Sequence, residues 1–293
     1  MNWMLNNSFM VADSGKEGPV YVAPHAGNAF YKPDDNQDTG THYIAHRMAS
    51  GGGMAVISSL SRERKMGIDF YRLMPDKQTA IGKYCLFGEE DIKGSFKFRK
   101  RYAWVAANER EHEHKKGIYV KFWETVNGKD SPVVFIHRQF LNPIRHPSLI
   151  DVVAFNCRNN TSEVIRRVNH KHKPLFEKIL PVYRSAISFK NYCVLFKKEA
   201  NSEFGISMFD HMEPKLRRRM ERFDEKMQKH PNLRITHKRN FSGDILKSLM
   251  GSGTIRPDRP VIQLEISELL TRFFPGIAVH LSRDIVDGLI GKG

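Results

Sequence analysis

The sequence predicts an α/β protein with a mixed, largely parallel central sheet flanked by helices. Five short runs rich in Val, Ile and Phe and poor in charge stand at 19–24, 54–60, 131–137, 149–156 and 260–266. Such runs are what strands buried on both faces look like. Helix-type segments lie between them, and that alternation is the second observation behind the fold class.

The first helix is expected over 39–49, where Thr39 can cap and Ile44 and Met48 share a face. A longer one is expected near 103–126, carrying Trp104, Ile118 and Trp123. Others fall near 162–180, 213–229, 242–250 and 279–290. The glycines Gly51 to Gly53 are expected to end a helix and turn the chain into a strand. They are not a phosphate loop, because no Gly-Lys-Ser/Thr follows. With 293 residues and 40% apolar composition the chain can bury a sizeable core. A single domain over 1–293 is expected, with residues 1–17 as a flexible N-terminus.

Charge is lopsided. Against 32 Asp and Glu stand 47 Lys and Arg, and the formal net charge of +15 predicts attraction to nucleic acid, anionic membrane or acidic small molecules. Cys85, Cys157 and Cys193 are far apart and make neither a zinc knuckle nor a redox pair, so a reducing cytoplasm is expected. No run approaches the roughly 18 apolar residues that span a membrane, so no membrane partner is expected.

Ligands of open α/β sheets collect outside the carboxyl ends of the strands. Three strands put a polar group there. His25 follows VYVAP, His137 follows PVVFI, and Glu265 interrupts VIQLEI. Two imidazoles from separate strands can bind Zn²⁺ when a carboxylate supplies a third ligand and water the fourth. A carboxylate inside an apolar strand is costly unless paired, so Glu265 points to a positive partner or a proton-transfer task. The alternative for each His is a hydrogen-bonded structural residue, and for Glu265 a salt bridge on an edge strand. In SRERKMGIDFYR, residues 61–72, Arg62, Arg64 and Arg72 surround a short apolar centre, and a guanidinium can grip a carboxylate with two hydrogen bonds.

Two further segments carry weaker signals. In EREHEHKK, residues 109–116, His112 and His114 are two apart and point to different faces of a helix, so they do not join one coordination shell. NHKHK, 169–173, has the same spacing and no nearby carboxylate, and is read as surface. EPKLRRRMERFDEKMQKH, 213–230, is a basic helix whose Leu216, Met220, Phe223 and Met227 form a core-facing stripe.

The ordered set of motifs resembles the N-formylglutamate amidohydrolase family, relatives of the zinc carboxypeptidases. PHAG at 24–27 is similar to the family's metal-binding turn, and DTGTHYIAHRMA at 38–49 to its Asp-containing helix start. SRERKMGIDFYR resembles a longer form of its Ser-Arg-…-Asp-Leu-Asn-Arg segment, with Tyr71 replacing Asn. VVFIHRQ, RNFSGDI at 239–245 and VIQLEI match further family segments in order, over roughly 20–270.

The resemblance implies a zinc-carboxypeptidase-like (phosphorylase/hydrolase-like) architecture. It also implies cleavage of an amide in an N-acyl, even N-formyl, amino acid or related small acidic amide, with one zinc ion. His25 and His137 are then metal ligands, with Asp38 as the carboxylate and Asp34 or Asp35 in reserve. Asn28 stands where the carboxypeptidases' His-x-x-Glu has its Glu. Glu265 is implied as general base, Arg62 or Arg64 as stabiliser of the oxyanion, and Arg72 as anchor of a substrate carboxylate. Tyr71, Arg239, Gly243 and one of His112 and His114 are implied to line the pocket. Arg138 and Gln139 depart from the Ser favoured after His137, and Phe135 from the Asp two residues before it. The alternative function is a non-catalytic basic protein on the same scaffold that binds nucleic acid or another polyanion.

Overall fold

A computed structural model describes residues 1–5, 7–26, 38, 40–87, 98, 100–139, 148–182, 233–238 and 242–291. Eight strands join one sheet: β1 (Asn2–Leu5), β2 (Phe9–Asp13), β3 (Val20–Ala23), β4 (Met54–Ser58), β5 (Val133–Gln139), β6 (Ser148–Phe155), β7 (Arg234–His237) and β8 (Val261–Ser267). Their order is β1-β2-β4-β3-β5-β8-β6-β7. The central strands β4, β3, β5 and β8 are mutually parallel, and β6 and β7 pair in parallel beside them. Antiparallel joints lie at β1–β2, β2–β4 and β8–β6. The mixed, largely parallel sheet is therefore present, and the five expected strands are β3, β4, β5, β6 and β8.

Alternation along the strands sorts side chains into two cores. Tyr21, Ala23, Val134, Ile136, Ile262 and Leu264 face one side. There they pack with α1 (Thr41–Ala49), α4 (Thr161–Lys171) and α7 (Pro275–Ile290). Val20, Val22, Val133, Phe135 and Val261 face the other, against α3 (Glu109–Asn127) and α5 (Ser242–Gly251). Shorter helices, α2 (Lys77–Gly82) and α6 (Glu268–Phe273), complete the set labelled here. Both faces are covered, which is why the strands read as continuous apolar runs.

Several expectations are adjusted. Strands β1 and β2 occupy the segment 1–17, so much of that stretch is hydrogen-bonded sheet rather than a flexible end. It lacked a signal because every residue of β1 is exposed at the sheet edge. The long helix starts at 109, not 103, because Asn108 caps it: its side chain accepts from the Glu111 N–H, and Glu111 accepts in return from Ala107 N–H. Helix α1 is capped by Gly40 at φ 90 with no side-chain bond; Thr39 lies outside the described residues. The helix expected over 162–180 is interrupted at His172, with helical residues resuming over 173–182. The basic helix at 213–230 and Cys193 lie outside the described residues.

The glycine run behaves as expected. Gly53 has φ 102, and a Cβ there would lie 2.1 Å from the Pro19 carbonyl oxygen. Only glycine lets the chain leave α1 and enter β4 beside β3.

An aromatic layer packs between α3 and the sheet. Phe122 is fully buried, stacks on Phe70 at 4.0 Å and meets Phe9 and Trp123 edge-on. Phe122→Ala is expected to cost about 3–5 kcal/mol of stability, read as a lowered denaturant midpoint.

Candidate metal centre

The carboxyl ends of β3 and β5, adjacent and parallel, bring two imidazoles together. His25 sits two residues past β3, and His137 lies near the end of β5. Their rings are 4.8 Å apart. Asp38 joins them through the backbone: its N–H donates to the His25 carbonyl at 3.2 Å, while its own carbonyl accepts from the Thr41 N–H and hydroxyl at the start of α1. Strand end and helix start thus clamp one carboxylate between two histidines.

Oδ2 of Asp38 lies 3.3 Å from His25 Nδ1 and 3.1 Å from His137 Nδ1. All three residues are buried. Burial alone would raise the Asp38 pKa, but the hydrogen bonds and charges of His137 and His25 outweigh it and hold the carboxyl below the usual range. Tetrahedral ligands about 2.0–2.1 Å from zinc are separated by about 3.3 Å. The observed spacings match that edge. Among the described residues, the buried His137 Nε2 has no hydrogen-bond partner, while its Nδ1 faces Asp38. His25, Asp38 and His137 can hold a metal ion.

A second carboxylate, not assigned a role from the sequence, supports the first histidine. Asp69 Oδ1 lies 2.7 Å from His25 Nε2 and also accepts from the Tyr71 N–H at 3.0 Å. A carboxylate behind a ligating imidazole fixes its ring and tautomer. Asp69 Oδ2 is paired with Arg64 at 2.6 Å, and Arg72 Nε approaches it at 4.0 Å. Burial raises the Asp69 pKa; the charges of Arg64, His25 and Arg72 prevail and place it well below its ordinary value. His25 shows the converse. Burial lowers its pKa, and Asp69 and Asp38 more than reverse this, so it ends raised. The signal for Asp69 was present in GIDFYR: an Asp between apolar residues, flanked by three arginines.

The arginines divide. Arg64 is buried in its pair with Asp69 and donates to the Arg62 and Tyr102 carbonyls, so it holds the site together. Arg62 is half-buried, with Nη1 3.9 Å from Asp38 Oδ1. Arg72 donates to the Tyr71 carbonyl at 2.7 Å and lies beside the Tyr71 ring.

Tyr71 is buried, with its ring 4.4 Å from that of His137. Its hydroxyl donates to Gln263 Oε1, and Gln263 Nε2 donates to Glu265. Burial, and then the charge of Glu265, push the Tyr71 pKa well up, so it stays a donor. Glu265 stands opposite His137 in the β5–β8 register and opposite Asp151 in the β8–β6 register. Paired residues of neighbouring strands project from the same face, so Glu265 and His137 share one. Glu265 is half-buried, as suits a carboxylate at the sheet's end rather than inside it.

The two histidines of α3 lie elsewhere. His112 is buried against Trp104, whose indole N–H points to its Nδ1 at 3.4 Å, and His114 is exposed. Neither belongs to the group around Asp38; the spacing that kept them off one coordination shell also turned His112 into the aromatic layer. Gly243 falls in the first turn of α5, while Arg239, Asp34 and Asp35 lie outside the described residues.

Two measurable consequences follow. Arg64→Ala leaves Asp69 buried without its strongest partner, and a broken buried pair costs about 3–5 kcal/mol, seen by denaturant titration. A carboxylate whose folded pKa is depressed stabilises above its unfolded value, 3.8, and loses that contribution as pH falls through the folded one. The raised pKa of His25 acts oppositely: its contribution is complete below 6.5 and fades as pH rises through the folded value. Chelator-treated protein is therefore expected to lose stability below about pH 4, and Asp69→Asn to make that acid loss shallower.

No protein-family model matches the chain, and no curated protein matches it. Among solved structures the chain is similar to gene product Atu2144 from Agrobacterium tumefaciens, with a TM-score of 0.52 and 14% sequence identity. That likeness covers 98% of this chain and 95% of the other, and it shows a shared α/β fold over nearly the whole length.

Proposed function

We propose that the protein is a zinc-dependent amidohydrolase acting on an N-acyl amino acid or a related small acidic amide, as the motif resemblance to N-formylglutamate amidohydrolases implies. The observation that carries this reading is the clamp itself: two imidazoles and one carboxylate at 3.1–3.3 Å, buried at the carboxyl ends of adjacent parallel strands. When bound, zinc supplies Lewis-acid polarisation of the amide carbonyl and lowers the pKa of water from about 15.7 toward roughly 7. His25, Asp38 and His137 would hold it, with Asp69 orienting His25.

The chain's own groups then divide the work. Glu265 accepts a proton from water as its oxygen bonds to the carbonyl carbon, and returns that proton to the leaving nitrogen as the C–N bond breaks. Tyr71 and Gln263 orient Glu265 through their chain of hydrogen bonds. Arg62, half-exposed at the rim, is the donor for the developing oxyanion, the role that Arg64's pairing denies it. Arg72 remains the candidate anchor for a substrate carboxylate.

A second reading rests on the net charge of +15: a basic protein on the same scaffold that binds nucleic acid or another polyanion without catalysis. Salt-dependent polyanion binding indifferent to His25 and His137 would favour it.

The test is metal content by elemental mass spectrometry on protein purified without an affinity tag, with a panel of N-acyl amino acids for turnover. Zinc is expected in the parent, with one equivalent fewer in His25→Ala/His137→Ala. Glu265→Gln should fold and keep metal while turnover falls at least about a hundredfold. Arg62→Ala should cost about a hundredfold in kcat with little change in stability, unlike Arg64→Ala. No zinc uptake by folded parent protein, even when zinc is supplied, would overturn the reading.

A further inference from the structure

Helices α4 and α7 pack antiparallel on the first core, away from the clamp around Asp38. Asn159, just before α4, donates from its N–H to the Leu289 carbonyl near the end of α7. Gly288 admits Val164 so closely that an added Cβ would lie 2.8 Å from Cγ1. This tight seam brings the other end of α4 against the first half of α7. There the break at His172 turns its imidazole inward, so that it is buried although its neighbours in NHKHK read as surface.

His172 Nε2 lies 2.6 Å from Asp284 Oδ2, and the rings of His172 and His280 meet edge-on at 5.0 Å. His280 and Asp284 are four apart on α7, so both project from one face toward His172. One ligand atom from each of the three lies within 4.8 Å of the others. The carboxylate that the segment 169–173 lacks in sequence is supplied by another helix. Lys171 Nζ also reaches Asp284 Oδ2, at 2.7 Å, from a side chain that is mostly exposed and able to swing away.

We propose that His172, His280 and Asp284 form a second divalent-metal site, at the surface, which clamps the end of α4 to α7. Two imidazoles and a carboxylate select ions such as Zn²⁺, Ni²⁺ or Cu²⁺ over Mg²⁺ or Ca²⁺, whose preferred ligands are oxygens. Exposure of His280 leaves room for water as the remaining ligand, and the Lys171 ammonium gives way to the ion. The site is independent of the proposed catalysis. Because it bridges two helices of the folded state, its occupancy stabilises the fold. At a zinc concentration about 100 times its Kd the folding equilibrium constant rises about 100-fold.

Equilibrium dialysis of the full, chelator-stripped chain against Zn²⁺ tests this, with bound metal counted by elemental mass spectrometry. His280→Ala, an exposed substitution, is expected to bind one equivalent less than the parent. His25→Ala/His137→Ala is expected to keep an equivalent that disappears when His280→Ala is added, which separates this site from the Asp38 clamp. Lys171→Met removes the competitor for Asp284 and should tighten binding about two- to fivefold. Equal zinc uptake by parent and His280→Ala at every concentration would overturn the proposal, as would weaker or unchanged binding in Lys171→Met.

Discussion

A buried carboxylate that must stay charged organises this molecule. Asp38 is out of water, and the hydrogen bonds and charges of its two imidazole neighbours keep its ionised form favourable. Of the two imidazoles, His25 is in turn held by a second carboxylate. His25 leans on Asp69, Asp69 on Arg64, and Arg64 on the Arg62 and Tyr102 carbonyls. The charges alternate outward from the centre, so the removal of one member strands the next.

The sheet makes this arrangement possible with few residues. Parallel β3 and β5 pair with Val22 beside Phe135, and β5 runs on past the end of β3, so a residue just past the shorter strand meets a residue near the end of the longer one. Strand β8 adds Glu265 in register with His137. Apolar strand interiors carry the cost of folding, while their ends carry the chemistry, which is the division of labour usual in open α/β sheets.

Much of this was legible in sequence because it rests on local signals. VYVAPH, PVVFIH and VIQLEI announce buried strands with a polar group at the end, and the structure places all three side by side. Asp69 was less legible, since its role depends on His25 meeting it from a distant segment. His172 was misread for a related reason. Its partners are on α7, far along the chain, and spacing within NHKHK says nothing about them. Strand β1 was missed because edge pairing does not need a two-sided apolar run; it buries no residue at all. The start of α3 was placed too early because apolar Trp104 fits a helical stripe, whereas the Asn108 cap decides where the helix begins.

The pairing of His137 with Glu265 also bears on how the protein is made. Strands β5 and β8 are neighbours in the sheet but distant in the chain, with β6, β7 and several helices encoded between them. Parallel pairing of remote segments is slow to form. During synthesis β5 waits with one edge unpaired until β8 emerges, and its apolar side chains wait with it. Interception of that interval by a chaperone, or by another nascent chain, decides yield long before chemistry is at issue. A C-terminal truncation that removes β8 therefore leaves an adhesive half-sheet rather than a smaller folded protein.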